Sequence, residues 1–327
     1  MPKKKINKKI LVTGGCGFIG SNFIRYLLNK YPDYNVINLD KLTYAGNPDN
    51  LKDVKGGPRY KFIRGDICDA VIVDKVVKRC DAIVHFAAES HVDKSILCSD
   101  DFVRTNVFGT HVLLEAAKRY NINRYIQIST DEAYGSIKSG SFTEDSPLLP
   151  NSPYSASKAA ADLLARSYFV THALPVIITR SSNNFGPYQY PEKVIPLFIT
   201  NLLQGKKVPL YGDGLNVRDW LYVLDNCAGI DLALHKGKIG EVYNIGGGNE
   251  VANLELTNLI LKKMRKGKES INYVPDRLGH DRRYSLNCDK IRRLGFRPKY
   301  NFEQAIDLTI KWYKNNRPWW RELKKQS

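Results

Sequence analysis

Short apolar runs rich in Ile and Val alternate with longer amphipathic stretches over the first 180 residues. The apolar runs are KILVTGG, NVINLD, YKFIRGD, AIVHFAA, RYIQIST and PVIITRS. Runs of this length and composition are typical of buried strands, and the segments between them are long enough for helices. The alternation predicts an α/β fold with a doubly wound parallel sheet and helices on both faces.

The first amphipathic stretch, SNFIRYLLNKY, illustrates the helical pattern. Helical spacing places Phe23, Ile24, Leu27 and Leu28 on one side. That side is expected to pack on the sheet.

The composition of the chain changes after about residue 181. Asn, Gly and Pro crowd the segments SSNNFGPYQYPEKVIP, YGDGLNVRDW and NIGGGNEVAN. Loops rich in turn residues suit a ligand-binding region. We therefore expect a sheet domain over residues 1–180 with a returning segment at about 221–248. A smaller mixed α/β lobe would occupy residues 181–220 and 249–327.

Charge adds one general expectation about ligands. The formal net charge is +17, from 50 Lys and Arg against 33 Asp and Glu, so anionic ligands are favoured. The basic residues cluster at both ends and at 262–268, without a nucleic-acid-binding motif or interleaved aromatic residues. We interpret these clusters as solvated faces and do not expect nucleic-acid binding.

The cysteines and the lengths of the apolar runs indicate the cellular compartment of the protein. The six cysteines form no CxxC pair, and the N-terminal residues lack the apolar run of a signal peptide. No apolar run approaches the roughly 20 residues that cross a bilayer. We expect reduced thiols in a cytoplasmic protein, with no membrane contact and no bound metal.

A glycine-rich loop follows the first predicted strand directly. In ILVTGGCGFIGSNFI, Gly14, Gly17 and Gly20 allow a tight turn and the approach of backbone amides to a pyrophosphate at a helix N-terminus. The next strand ends in Asp40, which can accept hydrogen bonds from a ribose and repels a 2′-phosphate. NAD is therefore favoured over NADP; the alternative for Asp40 is a cap or turn residue. Asp66 ends another strand, where it either meets the adenine or serves a turn.

Tyr154 and Lys158 stand four residues apart in NSPYSASKAAADLLA, which is one helical turn. A neighbouring ammonium favours the phenolate and would make Tyr154 a proton shuttle. The alternative is an exposed helix pair without a catalytic role.

The motifs occur in the order glycine loop, Asp40, HFAAESHVD, STDEAYG and YSASK, over nearly the whole chain. In this order they resemble the extended short-chain dehydrogenase/reductase superfamily, which has a Rossmann-like sheet. Six phrases are similar to the nucleoside-diphosphate-glucose 4,6-dehydratase family: DKLTYAGN, FAAESHVDKSI, STDEAYG, SNNFGPYQYPEKVIPLFI, GDGLNVRDWLYV and GHDRRY. The resemblance implies a triad of Thr130, Tyr154 and Lys158.

The resemblance also implies a set of NAD-binding residues, with Asn184 at the nicotinamide end. The set comprises Gly14, Gly17, Phe18, Ile19, Gly20, Asp40, Lys41, Leu42, Thr43, Asp66, Ile67, Phe86, Ala87, Ala88, Ser90, Thr105, Tyr154, Lys158 and Asn184.

Asp131 and Glu132 are adjacent at the end of a predicted strand. Adjacent side chains diverge in a strand and in a helix, so the two carboxyl groups are placed to serve different atoms. A dehydration needs one group that removes a proton and another that protonates the leaving hydroxyl. The resemblance implies that Glu132 acts at C5 of the hexose and Asp131 at C6, after Tyr154 has assisted oxidation at C4.

The implied substrate is a nucleoside-diphosphate-glucose. Its diphosphate calls for cations and amide donors, and the matching positions are Ser90, His91, Thr130, Asn183, Lys193, Val194, Tyr211, Arg218, Asn253, Arg277 and His280. The chain departs from the family pattern at Ala133, Phe185 and Leu278. The departure at Leu278, next to Arg277, concerns the shape of that loop.

Several alternatives stay open at this point. A nucleotide-sugar 4-epimerase or decarboxylase of the same superfamily would use the same cofactor, and Asp131 is the discriminating residue. A catalytically silent module that binds NAD and nucleic acid is the alternative from another class. The nucleotide, thymidine or uridine, is not resolved by the sequence. The resemblance further implies a homodimer and a step toward deoxysugars such as rhamnose.

Overall fold

The structure is a computed structural model that describes residues 9–276 and 279–325. Its strands are β1 (Lys9–Thr13), β2 (Asn35–Asp40), β3 (Tyr60–Arg64), β4 (Ala82–His85), β5 (Arg124–Thr130), β6 (Val176–Ser181), β7 (Asn183–Phe185), β8 (Val208–Tyr211), β9 (Val217–Tyr222), β10 (Val242–Ile245), β11 (Glu250–Ala252) and β12 (Ile271–Val274).

The helices that connect these strands vary widely in length. They are α1 (Phe18–Lys30), α2 (Ala70–Val77), α3 (Val92–Leu97), α4 (Asp100–Phe102), α5 (Thr110–Arg119), α6 (Pro153–His172), α7 (Val194–Leu203), α8 (Val223–Lys236), α9 (Asn253–Met264), α10 (Asp289–Arg293), α11 (Phe302–Asn315) and α12 (Arg317–Lys325). A π-helical segment, Val103–Gly109, joins α4 to α5, and short 3-10 helices occur at Pro48–Leu51, Asp131–Tyr134 and Lys268–Ser270.

Seven strands form the large sheet in the order β10-β6-β5-β4-β1-β2-β3. All of its pairings are parallel. The six predicted strands are β1 to β6, and β10 adds a seventh beside β6. The predicted doubly wound α/β fold is confirmed. The order reverses between β1 and β4, which is where such sheets bind ligands.

Helices cover both faces of the large sheet. On one face α1 packs beside α8, and buried Phe23, Ile24 and Leu27 of α1 join Ile230 and Leu234 of α8 in one core. The predicted apolar side of α1 is confirmed. On the other face α2, α5 and α6 bury a second set of apolar side chains. Both cores hold the strand ends in fixed relative positions, because interiors of this kind are close-packed.

A smaller lobe contains a three-stranded sheet, β11-β9-β7, and a two-stranded sheet, β12-β8. Its core gathers side chains of α7, α9, α11 and α12, among them Phe198, Tyr313 and Trp320. The predicted smaller mixed lobe is thus present. The exact domain limits given above stay a prediction.

The described residues lack two features that other classes of protein have. Across residues 9–276 and 279–325, no helix has both the length and the apolar character needed to cross a membrane. In the same residues, no group of three or more His, Cys, Asp or Glu side chains is arranged to hold a metal ion.

Candidate active site

A cleft opens at the carboxyl-terminal edge of the large sheet, with about 1280 Å³ of free space that is partly open to solvent. The chain segments that follow β1, β2, β3 and β4 form most of its wall. The lining residues are Gly14, Gly17, Phe18, Ile19, Gly20, Leu39, Asp40, Lys41, Thr43, Tyr44, Ala45, Gly46, Gly65, Asp66, Ile67, Phe86, Ala87, Ala88, Glu89, Ser90, Thr105, Ile128, Ser129, Tyr154, Lys158, Gln189, Tyr190, Glu192 and Lys193.

The glycine loop is shaped by close backbone contacts. Gly14 has a φ of +69°, and a Cβ there would lie 2.6 Å from the nitrogen of Ala87. A Cβ on Gly20 would lie 2.4 Å from the carbonyl oxygen of Gly14. The sequence predicts that glycine is needed at position 20 to leave space for a pyrophosphate. The structure adds a second reason, because a side chain there would collide with the backbone of Gly14. The loop and the start of α1 therefore form a cradle of backbone amides that no larger residue could build.

Asp40 ties this cradle to the next loop. Its Oδ2 accepts a hydrogen bond from the Cys16 amide over 2.8 Å, and its Oδ1 accepts one from the Leu42 amide over 2.8 Å. Burial raises the pKa of the Asp40 carboxyl, while the two amide donors act in the opposite direction. Each carboxylate oxygen keeps a further lone pair. The residues of the cleft thus fit the pyrophosphate and ribose of NAD.

The predicted NAD-binding residues line the cleft with two exceptions, Leu42 and Asn184. Leu42 lines a neighbouring cavity behind the same loop. The amide nitrogen of Asn184 donates to the carbonyl oxygen of Ser182 over 2.9 Å. Asp66 lies opposite Lys41, with 2.9 Å between the carboxylate and the ammonium.

The candidate acid and base lie where β5 ends. Asp131 and Glu132 begin a 3-10 helix, Asp131–Tyr134, that is capped by Thr130, whose hydroxyl accepts from the Glu132 amide over 3.3 Å. The same hydroxyl donates to Asp131 Oδ1 over 3.3 Å. Neighbouring side chains diverge in such a helix, which is in keeping with separate tasks for the two carboxyl groups.

Asp131 has the most unusual environment of the predicted residues. Only 2 % of its surface is exposed, and its Oδ2 has no hydrogen-bond partner within the described residues. Burial raises the pKa of this carboxyl well above its usual range, and the charges of Glu132 and Asp219 raise it further. A raised pKa favours the protonated form of the Asp131 carboxyl, in which it can donate a proton.

Tyr154 and Lys158 lie in the first two turns of α6. Ser152 and Ser155 form a capping box at its start, and Pro153 occupies the first helical position. The ammonium of Lys158 donates to the carbonyl oxygen of Ile128 over 2.6 Å, which directs it toward the end of β5. Burial lowers the pKa of Lys158 to about 8.

The expected effect on Tyr154 needs a correction. The spacing of the two residues in the sequence predicts that the ammonium of Lys158 favours the phenolate of Tyr154. In the structure the pKa of Tyr154 is raised, first by burial and then by the charges of Glu132 and Asp131, although a hydrogen bond with Thr130 lowers it. Burial and the two carboxyl groups outweigh the hydrogen bond with Thr130. The phenol is thus the resting form in the chain by itself.

Two groups of predicted substrate residues come together. Near the cleft, the ammonium of Lys193 donates to the carbonyl oxygen of Ser90 over 3.1 Å, and His91 Nε2 lies 3.2 Å from a carboxylate oxygen of Glu192. Farther along the smaller lobe, the rings of Tyr211 and His280 meet edge to face with centroids 6.3 Å apart. The two groups lie on different segments, as expected for the two ends of a long ligand.

The other predicted substrate residues are placed separately. Arg218 is 5 % exposed, donates to the carbonyl oxygen of Asp281 over 2.8 Å and lies 4.3 Å from the ring centroid of Tyr284. Val194 begins α7, Asn253 begins α9 and Asn183 begins β7. Arg277 and its neighbour Leu278 lie outside the described residues.

Comparison with known proteins bears on this site. The sequence profile of the GDP-mannose 4,6 dehydratase family matches residues 11–309. A dTDP-glucose 4,6-dehydratase of Streptomyces antibioticus is 54 % identical over 97 % of this chain and 96 % of its own. The chain belongs to the nucleoside-diphosphate-glucose 4,6-dehydratase family. The predicted family membership is confirmed.

Solved structures place this dehydratase-family chain among close neighbours. A dTDP-glucose 4,6-dehydratase of Streptomyces venezuelae, crystallised with NAD, has a TM-score of 0.95 and 54 % identity over 96 % of this chain and 99 % of its own. A UDP-glucose 4-epimerase of Thermotoga maritima has a TM-score of 0.88 and 31 % identity over 94 % of this chain and 99 % of its own. Dehydratases and epimerases share the fold, so the fold alone does not separate them.

Two of the cleft side chains that were not predicted from the sequence contact each other in this dehydratase-family site. Tyr44 and Glu192 both line the cleft, and the Tyr44 hydroxyl donates to the Glu192 carboxylate over 3.2 Å. The same carboxylate pairs with His91. A signal was available, because both residues stand within phrases that resemble the family and Glu192 directly precedes Lys193.

Proposed function

We propose that the protein converts a nucleoside-diphosphate-glucose to the 4-keto-6-deoxy sugar by NAD-dependent dehydration. One observation carries the proposal: a buried Asp131, whose carboxyl has a raised pKa, lies beside Glu132 at the end of β5, and both carboxyl groups are near enough to Tyr154 to raise its pKa. An acid and a base at neighbouring positions are what elimination of water requires.

The cradle of Gly14 and Gly20, together with Asp40, would hold NAD. Bound NAD supplies a hydride acceptor that takes hydride from C4 and later returns it to C6. Tyr154 and Lys158 line the same cleft and would hold the part of NAD that takes up hydride. The positive charge of Lys158 favours loss of the Tyr154 proton once substrate has displaced water.

In the first step Tyr154 would act as the phenolate, after its own proton has passed to solvent, and would accept the proton of the C4 hydroxyl while C4 is oxidised. A ketone at C4 makes the C5 proton acidic. Thr130, which is hydrogen-bonded with Tyr154, is positioned to hold the C4 oxygen. Lys158 must carry its proton in this step. With a pKa of about 8, its amine is mostly protonated near neutral pH.

In the second step Glu132 removes the proton from C5, and Asp131 gives a proton to the C6 hydroxyl. The C6–O bond breaks, water leaves and a C5–C6 double bond forms. Hydride then returns to C6 and Glu132 returns a proton to C5. The raised pKa of Asp131 supports its role as the acid, because only the protonated carboxyl can donate.

The diphosphate and base would lie along the smaller lobe. Arg218 and Lys193 supply cations, and Tyr211 with His280 forms an aromatic pair at the far end. The dTDP-glucose dehydratases among the relatives support thymidine as the base. The product would then serve deoxysugars such as rhamnose.

A parallel assay tests this proposal. Purified protein is incubated with dTDP-glucose and with UDP-glucose, and the alkali-induced absorbance of the 4-keto product is followed. We expect product from dTDP-glucose at the higher kcat/KM. A galactose-configured product would instead indicate an epimerase, and no product from either sugar would refute the enzymatic proposal.

We further propose a cytoplasmic homodimer built through α5 and α6. Large apolar side chains are exposed there: Leu163 is 58 %, Val170 is 63 % and Phe108, just before α5, is 49 % exposed. A second copy would cover them. The six cysteines are free thiols, in keeping with a reducing compartment. Light scattering of the purified protein should give twice the mass of the chain, and the monomer mass would refute the dimer.

A further inference from the structure

A row of buried polar side chains crosses the large sheet just before the catalytic turn. Arg180 on β6 is in register with Ser129 on β5 and with Asn244 on β10. Ser129 precedes Asp131 by two residues. The row therefore lies at the strand end from which the candidate acid and base emerge.

Arg180 is the centre of this row. Its Nε donates to Asp162 Oδ2 over 2.9 Å. Its guanidinium carbon lies 4.7 Å from the ring centroid of Tyr134. The Tyr134 hydroxyl donates in turn to Asn244 Oδ1 over 2.8 Å. All four side chains are at most 5 % exposed.

The row joins the two elements that carry the proposed chemistry. Tyr134 is the last residue of the 3-10 helix that begins with Asp131. Asp162 lies on α6, one helical turn beyond Lys158 and two beyond Tyr154. A continuous chain of contacts thus runs from the acid and base to the tyrosine.

A buried ion pair of this kind contributes little net stability compared with apolar residues of the same volume. It does restrict geometry, because each partner is costly to leave unpaired in a low-dielectric interior. An apolar contact between Tyr134 and β6 would hold the turn in place less specifically. The arrangement therefore suits orientation better than stability.

We propose that Asp162, Arg180 and Tyr134 are positioning residues that set the distance between the Asp131–Glu132 turn and α6. The inference rests on the proposed function, since only a dehydratase needs both elements in register on one hexose. Oxidation at C4 depends on α6, on Thr130 at the end of β5 and on the cofactor cleft. Elimination depends in addition on the turn, so a displaced turn slows elimination selectively.

Tyr134→Phe tests the proposal with the smallest change. The ring and its contact with Arg180 are kept, and the hydrogen bond of the hydroxyl to Asn244 is lost. Displacements of about 1 Å can slow a reaction about 100-fold. In single-turnover experiments we expect elimination to slow about 10- to 100-fold with C4 oxidation changed less than about threefold. Reduced nicotinamide should accumulate, which its absorbance reports.

Tyr125→Phe is the matched control. Tyr125 is also fully buried, on β5, and its hydroxyl has a weak contact of 3.4 Å with Gln127. Its substitution should leave the ratio of oxidation to elimination unchanged. Arg180→Lys is the second variant, because it keeps a cation beside Asp162 and loses the planar contact with Tyr134; the same accumulation is expected.

The outcomes separate the two proposals. Accumulation of reduced nicotinamide in Tyr134→Phe and Arg180→Lys, but not in Tyr125→Phe, supports positioning. If both variants slow oxidation and elimination equally, or neither, the row is only structural and the inference fails. If the wild-type protein forms no keto sugar, the proposed function itself fails.

Discussion

Replacement of Asp131 by Asn tests the division of labour between the two acids. Asn keeps the oxygen that accepts from the Thr130 hydroxyl at 3.3 Å and fills nearly the same volume. It cannot donate the carboxylic proton. General acid catalysis contributes roughly 100- to 10,000-fold, or about 2.7–5.4 kcal/mol of activation free energy. The raised pKa of Asp131 favours the neutral carboxyl, and the uncharged amide of Asn is the nearest match to that form.

We therefore expect Asp131→Asn to slow release of water by about 100-fold or more while C4 oxidation changes less than about threefold. Rapid mixing with substrate should show reduced nicotinamide forming at the wild-type rate and persisting. Asp225→Asn is the control, since Asp225 is equally buried, accepts from the Lys299 and Tyr300 amides and lies outside the cleft. Unchanged turnover of Asp131→Asn to the 4-keto-6-deoxy product would refute the reasoning.

Three further predictions concern the cofactor cleft. Asp40→Ala removes an acceptor of two backbone amides, and at about 1.5–3 kcal/mol for a charged hydrogen bond we expect NAD to bind about 10- to 100-fold more weakly in a fluorescence titration. Gly20→Ala places a Cβ 2.4 Å from a backbone oxygen, so the cradle must shift. We expect that NAD no longer raises the thermal unfolding midpoint of this variant. A rise equal to that of the wild-type protein would contradict the packing argument. Lys158 has a pKa of about 8, below its usual value, so kcat should fall as pH rises through about 8 and the ammonium is lost; a flat profile from pH 7 to 9 would count against its role.

The large sheet could be predicted because its strands are buried on both faces and so appear as continuous apolar runs. The loops that carry glycines 14, 17 and 20 and Asp40 could be predicted for a related reason. Each stands directly after such a run, and the carboxyl ends of parallel strands meet at one edge of a sheet. The adjacent acids also follow a strand, and their divergence is a property of local geometry.

Contacts between distant segments could not be predicted in the same way. Tyr44 and Glu192 are 148 residues apart, and no local sequence pattern indicates their hydrogen bond. The π-helical segment Val103–Gly109 has ordinary helical spacing in sequence; there Asn106 bonds to the backbone of Glu89 and to Ser157. Such segments are frequent at functional sites.

The predicted direction of the Tyr154 pKa shift was wrong for the same reason. The i, i+4 spacing shows the lysine, but it does not show the depth of burial or the two carboxylates that approach from another element. Gly20 is a further case, since its neighbour Gly14 is near in sequence but the contact depends on the folded loop. Local pattern identifies a site, and packing determines its electrostatics.

The proposed reaction requires that one hydride leaves C4 and returns to C6 of the same sugar. The most direct measurement uses dTDP-glucose labelled with deuterium at C4, incubated with the purified protein and NAD in ordinary water. The account predicts a 4-keto-6-deoxy product with deuterium at C6, seen by NMR. Deuterium that remains at C4 of a galactose-configured sugar, or a keto sugar without deuterium at C6, would contradict it.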